Sequence, residues 1–425
     1  MSHKVVHISS SDRGGAGIAA YHLHQELRKH GVNSSFLTLY RYGKPEKNTY
    51  LYSDVDHLKI PGLSILYRFF QKVRKRLFPK KEAFQLDQEK YLKGRPSGYE
   101  HFSFPLSAKK LRNHPLVKKA DIIHLHWVSD GFLDPREFFP NLDKKVYWTL
   151  HDMNPFTGGC HHADDCQGYE KECRDCPQLT GTVEPNMAHE MWQRKKNAFE
   201  SHSGGIKIIS PSRWLLEKAQ QSALFRSFEG IVIPNPVDLT NFKLLDQEAC
   251  RQELGFERDQ RIILFVAHHV GNPRKGIDHI IRLMEDPAFS KYRFCSVGYE
   301  TSELHQYEQL RQLGYILDKQ KMAQIYNACD LFLLPSKAEN FPNTICESLA
   351  CGTPVVSFAV GGIPEIIHPK NGRLAEAENF YSLKDSVLEV FHSLSEFDRA
   401  LISQEARQLF DHAENIQKLL NFYER

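Results

Sequence analysis

A short apolar run followed by an amphipathic helix recurs along this 425-residue chain, stops at a pair of prolines, and then starts again. That alternation constrains the fold more than any other feature. Parallel strands covered on both faces read as near-continuous apolar segments, with helices crossing back over the sheet between them. In the first stretch the strand candidates are Val5–Ile8, Ser35–Leu39, Asp121–Trp127, Val146–Leu150, Ile206–Ile209 and Ile231–Ile233. A helix from about Ile18 to His30 sets Ala19, Leu23 and Leu27 on one side. The break is Ile233-Pro234-Asn235-Pro236-Val237-Asp238, where two prolines interrupt the pattern. Strand candidates then resume at Ile262–Ala267, Tyr292–Val297, Asp330–Leu334 and Pro354–Phe358, followed by two helices from about Tyr381 to the end. The expectation is an α/β protein of two doubly wound, Rossmann-like domains, residues 1–233 and 238–405. A terminal helix over 406–425 is expected to pack back toward the first domain. Ligands of such sheets bind beyond the carboxyl ends of the strands, so the expected site is a cleft between the halves.

Composition removes several function classes. Hydrophobic residues at 41% and charged residues at 25% describe a folded chain, not a disordered or collagenous one. A net charge of +3 is too small to argue for nucleic acid as a partner. The longest apolar runs, such as Ile262–Ala267, fall far short of the ~20 residues a membrane crossing needs. No charged-then-apolar leader opens the chain. Nine cysteines is a low density for an exported protein and points to a reducing compartment, so a cytoplasmic location is expected.

Between the first strand and helix, Gly15-Ala16-Gly17-Ile18-Ala19-Ala20 satisfies G-x-G-x-x-[G/A]. Taken literally this is a dinucleotide fingerprint, and an NADP-dependent oxidoreductase is the rival function it raises. The end of the second strand, Leu39-Tyr40-Arg41-Tyr42-Gly43, offers no acid for an NAD ribose, though an arginine suits a 2′-phosphate. The same glycines could instead make a turn whose bare N–H groups face an anion at a helix start, or a tight turn without a ligand.

The second half carries the sharper pattern. A strand ending at Leu334 enters the loop Pro335-Ser336-Lys337-Ala338-Glu339-Asn340-Phe341-Pro342-Asn343, and a helix is expected from near Thr344 to Gly352. Glu339 and Glu347 stand eight positions apart on loop and helix. Two carboxylates approaching from different sides suit the hydroxyls of a polyol, and N–H groups at the helix start suit a diphosphate. Thr344-x-x-Glu347 also fits a capping box that needs no ligand.

Glu339-x7-Glu347, Ala350-Cys351-Gly352-Thr353-Pro354-Val355-Val356 and Gly361-Gly362-Ile363-Pro364-Glu365 together resemble the retaining nucleotide-sugar glycosyltransferases of family 4. Asn371-Gly372, Pro234-Asn235-Pro236-Val237-Asp238, Arg274-Lys275-Gly276 and Gly14-Gly15 fit the same pattern. The stretch Trp148-Thr149-Leu150-His151-Asp152-Met153-Asn154-Pro155-Phe156-Thr157-Gly158-Gly159-Cys160 is similar to members that build capsules, O-antigens and other exopolysaccharides. The resemblance implies the GT-B fold and a nucleotide-sugar donor. By it, Glu347 holds the ribose hydroxyls, and Glu339 holds the transferred sugar with the amides of the residues that follow, among Asn340, Phe341, Asn343 and Thr344. Lys275 neutralises the diphosphate, with Arg274 or a histidine of His268-His269 as the second cation, and Gly14 and Gly15 face the donor from the first half. His151 stands beside the reacting sugar, oriented by Asp152. No catalytic metal and no covalent protein nucleophile are implied, and the acceptor is a saccharide or polyprenyl-linked oligosaccharide. A non-catalytic sugar-nucleotide-binding protein on the same fold is the third alternative.

Two further features stand outside this scheme. Cys160, Cys166, Cys173 and Cys176 are spaced C-x5-C-x6-C-x2-C inside an expected insertion over 158–180. Four thiolates of this kind can close a structural zinc site, with a redox pair or unligated thiols as alternatives. From Tyr67 to Lys81 seven basic residues stand among aromatics with no acid. Such a segment could lie on an anionic membrane surface, which would place the chain peripherally on the inner face of the plasma membrane. It could also bind RNA, or form a solvated helix face.

Overall fold

A computed structural model describes residues 3–53 and 83–425. The basic segment Tyr67–Lys81 lies outside the described residues. The chain divides into two units: residues 1–211, 215–233 and 419–425, and residues 212–214 and 234–418.

The first unit is built on β1 (Lys4–Ser11), β2 (Asn33–Tyr40), β3 (Thr49–Leu51), β4 (Ile122–Leu125), β5 (Lys145–Thr149), β6 (Ile206–Ser210) and β7 (Gly230–Val232). These strands pair in parallel in the order β3-β2-β1-β4-β5-β6-β7. The second unit carries β8 (Arg261–His269), β9 (Tyr292–Tyr299), β10 (Leu310–Gln312), β11 (Leu331–Leu334), β12 (Val355–Phe358) and β13 (Gly372–Ala375), again parallel, in the order β10-β9-β8-β11-β12-β13. Both orders reverse direction at one point, between β1 and β4 and between β8 and β11. That is the doubly wound arrangement, and its ligand crevice opens at the reversal, beyond the strand carboxyl ends.

The centre strands are apolar because helices cover both faces. All four residues of β11 are fully buried, as are Ile262–Leu264 of β8 and Val355, Val356 and Phe358 of β12. The edge strands β3 and β10 contain no buried residue. At the carboxyl end the two expected helices prove to be three, Phe380–His392, Arg399–Leu409 and His412–Glu424. Asp398 caps the second, accepting from the N–H groups of Ala400 and Leu401, and Asp411 accepts from Ala413 at the start of the third.

The glycine motif takes a different form from the loop expected. The first helix already begins at Gly14 and runs to Lys29. Gly17 lets it approach β1, since a Cβ there would stand 2.5 Å from the carbonyl oxygen of Ser11. Gly14 and Gly15 are exposed, with open space where a side chain would be.

Candidate functional site

In the second unit β8 and β11 lie side by side at the reversal of strand order. β8 leads into a short 3-10 turn, Pro273–Lys275, which Asn272 caps by accepting from the Arg274 N–H at 2.9 Å. β11 leads into residues 335–342 and then the helix Asn343–Ala350. The two connections dock on each other, Lys337 N–H donating to the Arg274 carbonyl at 2.8 Å. Their side chains converge on one carboxylate. Glu339 Oε1 accepts from Lys275 Nζ and, at 3.3 Å, from Arg274, which also donates to the Ala338 carbonyl at 2.8 Å. Burial alone would raise the pKa of Glu339, but Lys275 and Arg274 reverse that and hold it down at about 2. Gly361, at φ +58°, presses against the Glu339 backbone, where a Cβ would meet the Glu339 carbonyl oxygen at 1.7 Å. The Gly362 N–H then donates to the Asn340 carbonyl at 3.0 Å. Each tie fixes the loop that presents Glu339.

Glu347 is on the helix, partly buried, and its Oε2 accepts from the Tyr326 hydroxyl at 3.1 Å. Burial raises its pKa to about 7, against the pull of Tyr326 and Lys319. The capping-box alternative does not form. The helix starts at Asn343 with Pro342 as N-cap, and no side chain caps it. Pro342 has neither an N–H nor a side-chain acceptor, so Thr344 and Glu347 fall inside the helix instead of at its cap.

The remaining predicted residues divide by what their side chains already do. Asn340 is buried and accepts from Ser212 Oγ at 2.6 Å, and Asn343 accepts from Asn235 at 3.0 Å. Phe341 packs its ring in the core near Phe410, which leaves its backbone for any ligand contact. Of the candidates for a second cation, Arg274 joins the Glu339–Lys275 cluster. His268 and His269 are exposed and lie among the rings of Tyr299 and Tyr315.

In the first unit, His151 follows β5 and shares a hydrogen bond with His126 (Nε2 to Nδ1, 3.2 Å). His126 shares another with His7 at 2.9 Å. The rings of His7 and His124 lie 4.8 Å apart, and His24 meets His7 edge-on at 6.0 Å. His124 is held by Tyr423 Oη at 2.5 Å and Thr149 Oγ1 at 2.7 Å. This column of buried imidazoles did not emerge from the sequence. Its signal was there: His124 on β4 and His126 just beyond its end stand two positions apart in extended chain, so both face one side of the sheet, where His7 is the register partner of His124. Burial lowers every pKa in the column, His151 to about 4 and His24 and His124 to about 3, so the rings are neutral at pH 7.

Asp152 acts on His151 through its charge, which raises that ring's pKa against burial, and its carboxylate also binds other groups. Asp152 Oδ2 accepts from Trp127 Nε1 at 3.0 Å and pairs with His161 Nδ1 at 2.7 Å, and Oδ1 accepts from the Asn154 N–H. Burial pushes its pKa up, but His161 outweighs this and brings it to about 2. Asp152 therefore orders its own loop, and His126 is the ring bonded to His151. The four loop cysteines are free thiols.

Two parallel sheets of seven and six strands in these orders, each doubly wound, give the chain the two-domain GT-B type of fold. Over its whole length the chain matches, at TM-score 0.63 and 16% identity, a sucrose-phosphate synthase from Thermosynechococcus elongatus (99% of this chain, 98% of that one). It also matches Anabaena HepE crystallised with UDP and glucose, at TM-score 0.60 and 16% identity (99% of each chain). Residues 260–393 match the family "Glycosyl transferases group 1". A protein of Escherichia coli (strain K12) assigned by name to colanic acid biosynthesis as the glycosyl transferase WcaC is 25% identical over 97% of this chain and 96% of its own. Residues 260–393 thus carry a group 1 glycosyltransferase domain, in a chain whose fold is that of the GT-B structures it matches. None of these findings favours an NADP-dependent oxidoreductase or a non-catalytic binding protein.

Proposed function

We propose that this enzyme moves a sugar, with retention, from a nucleoside diphosphate donor to a saccharide or polyprenyl-linked acceptor in the assembly of a surface polysaccharide. The observation that carries the reading is the convergence of Lys275 and Arg274 on Glu339 at the strand reversal of the second sheet, with Glu347 on the adjoining helix. The named role of the Escherichia coli relative supports the polysaccharide product, and UDP and glucose in the HepE complex support the donor class.

In this reading Glu347 accepts from ribose hydroxyls, and Glu339 with nearby backbone amides holds the sugar. Lys275 and Arg274 sit where charge grows on the departing diphosphate, and fixed cations lower the barrier most where charge develops. The bond from the anomeric carbon to the diphosphate oxygen breaks while the acceptor oxygen bonds that carbon on the same face. The acceptor proton passes to the leaving phosphate, so no protein base and no metal is assigned to the step. His151 is the first unit's candidate for a sugar hydroxyl.

Among the described residues no helix is long and apolar enough to cross a membrane. We place the enzyme in the cytoplasm, at an anionic membrane surface reached through Tyr67–Lys81, where lipid-linked acceptors reside. Liposome pelleting that rises with anionic lipid content is the expected result. The donor assignment is tested by thermal shift against UDP-, GDP- and ADP-sugars with NADPH as control. A ligand at 100 times its dissociation constant adds ~2.7 kcal/mol, so one nucleotide-sugar class should stand out. A response to NADPH alone would overturn the reading.

A further inference from the structure

Between β5 and the helix Met187–Glu200 runs a long connection whose regular structure is limited to three short 3-10 turns, Asn154–Phe156, Gly168–Glu170 and Pro177–Leu179. Asp164, Cys173 and Asp175 hold left-handed backbone at φ +49°, +51° and +51°. Non-glycine residues avoid that region unless their surroundings impose it. Its backbone is tied by turns and single bonds, such as Cys173 N–H to the Gly168 carbonyl and His161 N–H to that of His101, with no helix or sheet spanning it.

At its centre Cys160, Cys166, Cys173 and Cys176 line a cavity of about 20 Å³, closed by Phe102 and Tyr169. Cys160 and Cys173 are buried, the other two half-buried, and all four are free thiols. Backbone N–H groups aim at the sulfurs. Gly158 donates to Cys173 Sγ at 3.2 Å and Gly168 to Cys166 Sγ at 3.4 Å. A neutral thiol is a weak acceptor, whereas a thiolate accepts strongly. Two cations complete the setting. Lys195 is 2% exposed and donates to the carbonyls of Asn154 and Thr157, and its charge reaches Cys160 and Cys173. Arg95, bonded to the Gln178 side chain at 2.6 Å, faces Cys160 and Cys176. A buried lysine, a half-buried arginine and inward-pointing amides around neutral thiols are unbalanced. Around a dianionic tetrathiolate they match.

We propose that Cys160, Cys166, Cys173 and Cys176 bind one zinc ion, which fixes the loop carrying Asp152 and His161. Binding exchanges four thiol protons for the metal, giving four Zn–S bonds and a net charge of −2 that Lys195 and Arg95 offset. Among the described residues no three of the sulfurs lie within 4.8 Å of one another. A closed tetrahedron with Zn–S near 2.3 Å places them about 3.8 Å apart, so the ion draws them inward across the cavity. One other grouping invites a metal, since the imidazole nitrogens of His7, His124 and His126 do lie within 4.8 Å. His7 Nε2 has no hydrogen-bond partner, but the other nitrogens of these rings are bonded to each other and to Tyr423, Thr149 and His151, so a metal held by all three rings would have to break bonds already made.

The proposal does not depend on the donor or acceptor assigned above. It is tested on the full-length chain without an affinity tag, purified without chelator. Metal analysis should find one zinc per chain, and titration with a mercurial should release it as four thiols react. Cys173→Ser and Cys176→Ser should each lower zinc content at least tenfold, while Cys295→Ser, at a buried cysteine of β9, should leave it unchanged. Should the serine variants fail to fold, the wild-type protein exchanged with Co²⁺ should show thiolate-to-metal charge transfer and the visible bands of a tetrahedral site. Metal-free protein with four freely reacting thiols would overturn the proposal. So would a Cys173–Cys176 disulfide in mass spectra, or zinc that survives the cysteine changes and is lost in His124→Ala.

Discussion

Two clusters, one in each unit, bury polar groups in opposite ways. The first keeps five imidazoles in contact by leaving them uncharged, each passing hydrogen bonds or ring faces to the next. The second buries a charge outright, and holds it with two cations on one carboxylate. Removing a charge from water is costly unless geometry and hydrogen bonds compensate, so the second solution is chosen where charge has work to do. Neutral imidazoles order a core at lower cost but lose that order once they are protonated. The difference teaches which cluster to read as a scaffold and which as a charge-handling site, and it can be broken from either side.

Acid should separate the two most. Each imidazole of the column has a folded pKa below its unfolded value of about 6.5. The unfolded chain therefore binds the extra protons, and the stability these rings contribute is complete above about pH 6.5. It is lost as the pH falls toward about 4 for His151 and about 3 for His24 and His124. Glu339, depressed to about 2 by its cations, keeps its contribution until the pH drops below about 4.3. Between pH 6.5 and 4.5 hydrogen exchange should thus rise in β1, β4 and β5 while β8 and β11 stay protected. Uniform loss of protection would show that the column is not the weak point.

The next effect belongs to the charged cluster. Glu339→Gln keeps the shape but removes the anion that Lys275 and Arg274 share. If Glu339 holds the transferred sugar, transfer should fall about 10²–10³-fold, as for the loss of one stabilising group in a transition state, with the melting temperature changed far less. Glu339→Ala should cost as much activity and more stability, since it leaves two partly buried cations without their partner. Steady-state kinetics and thermal melts on the same preparations separate the two.

Much of the fold was legible because burial on both faces leaves an apolar trace. Ile262–Phe265 and Leu331–Leu334 are buried throughout, and their runs mark the strands to within a few residues. The edge strands Thr49–Leu51 and Leu310–Gln312 left no such trace, being three residues long and unburied. The site was legible only in part. Glu339 and Glu347 share one loop and helix, so their spacing could be read. The bond from Lys275 to Glu339 spans 64 positions and exists because β8 and β11 are neighbours, which is a matter of topology. The capping box failed at one residue, Pro342, because a local motif needs the backbone atom that proline lacks. The histidine column stayed hidden because a polar residue in a strand reads as a solvent-facing position unless the opposite side is known to be covered.

A pair of tyrosines tests the comparison on a finer scale. The Tyr423 hydroxyl supports His124 in the first unit, and the Tyr326 hydroxyl supports Glu347 in the second. Tyr423→Phe leaves a buried ring nitrogen without its partner, which costs about 1–3 kcal/mol. It should appear as a lower melting temperature at constant nucleotide affinity. Tyr326→Phe acts on a carboxylate whose pKa already stands at about 7 through burial, and it removes one of the groups pulling that value down. The carboxylate must be ionised to accept from both ribose hydroxyls, so in the wild type nucleotide affinity should fall as the pH drops below about 7. In Tyr326→Phe the midpoint of that fall should move to higher pH, costing about threefold in affinity at neutral pH and little at pH 9. Calorimetry of the nucleoside diphosphate across this range measures both the midpoint and the proton released on binding. A midpoint that stays in place would mean that Glu347 is not the group meeting the ribose.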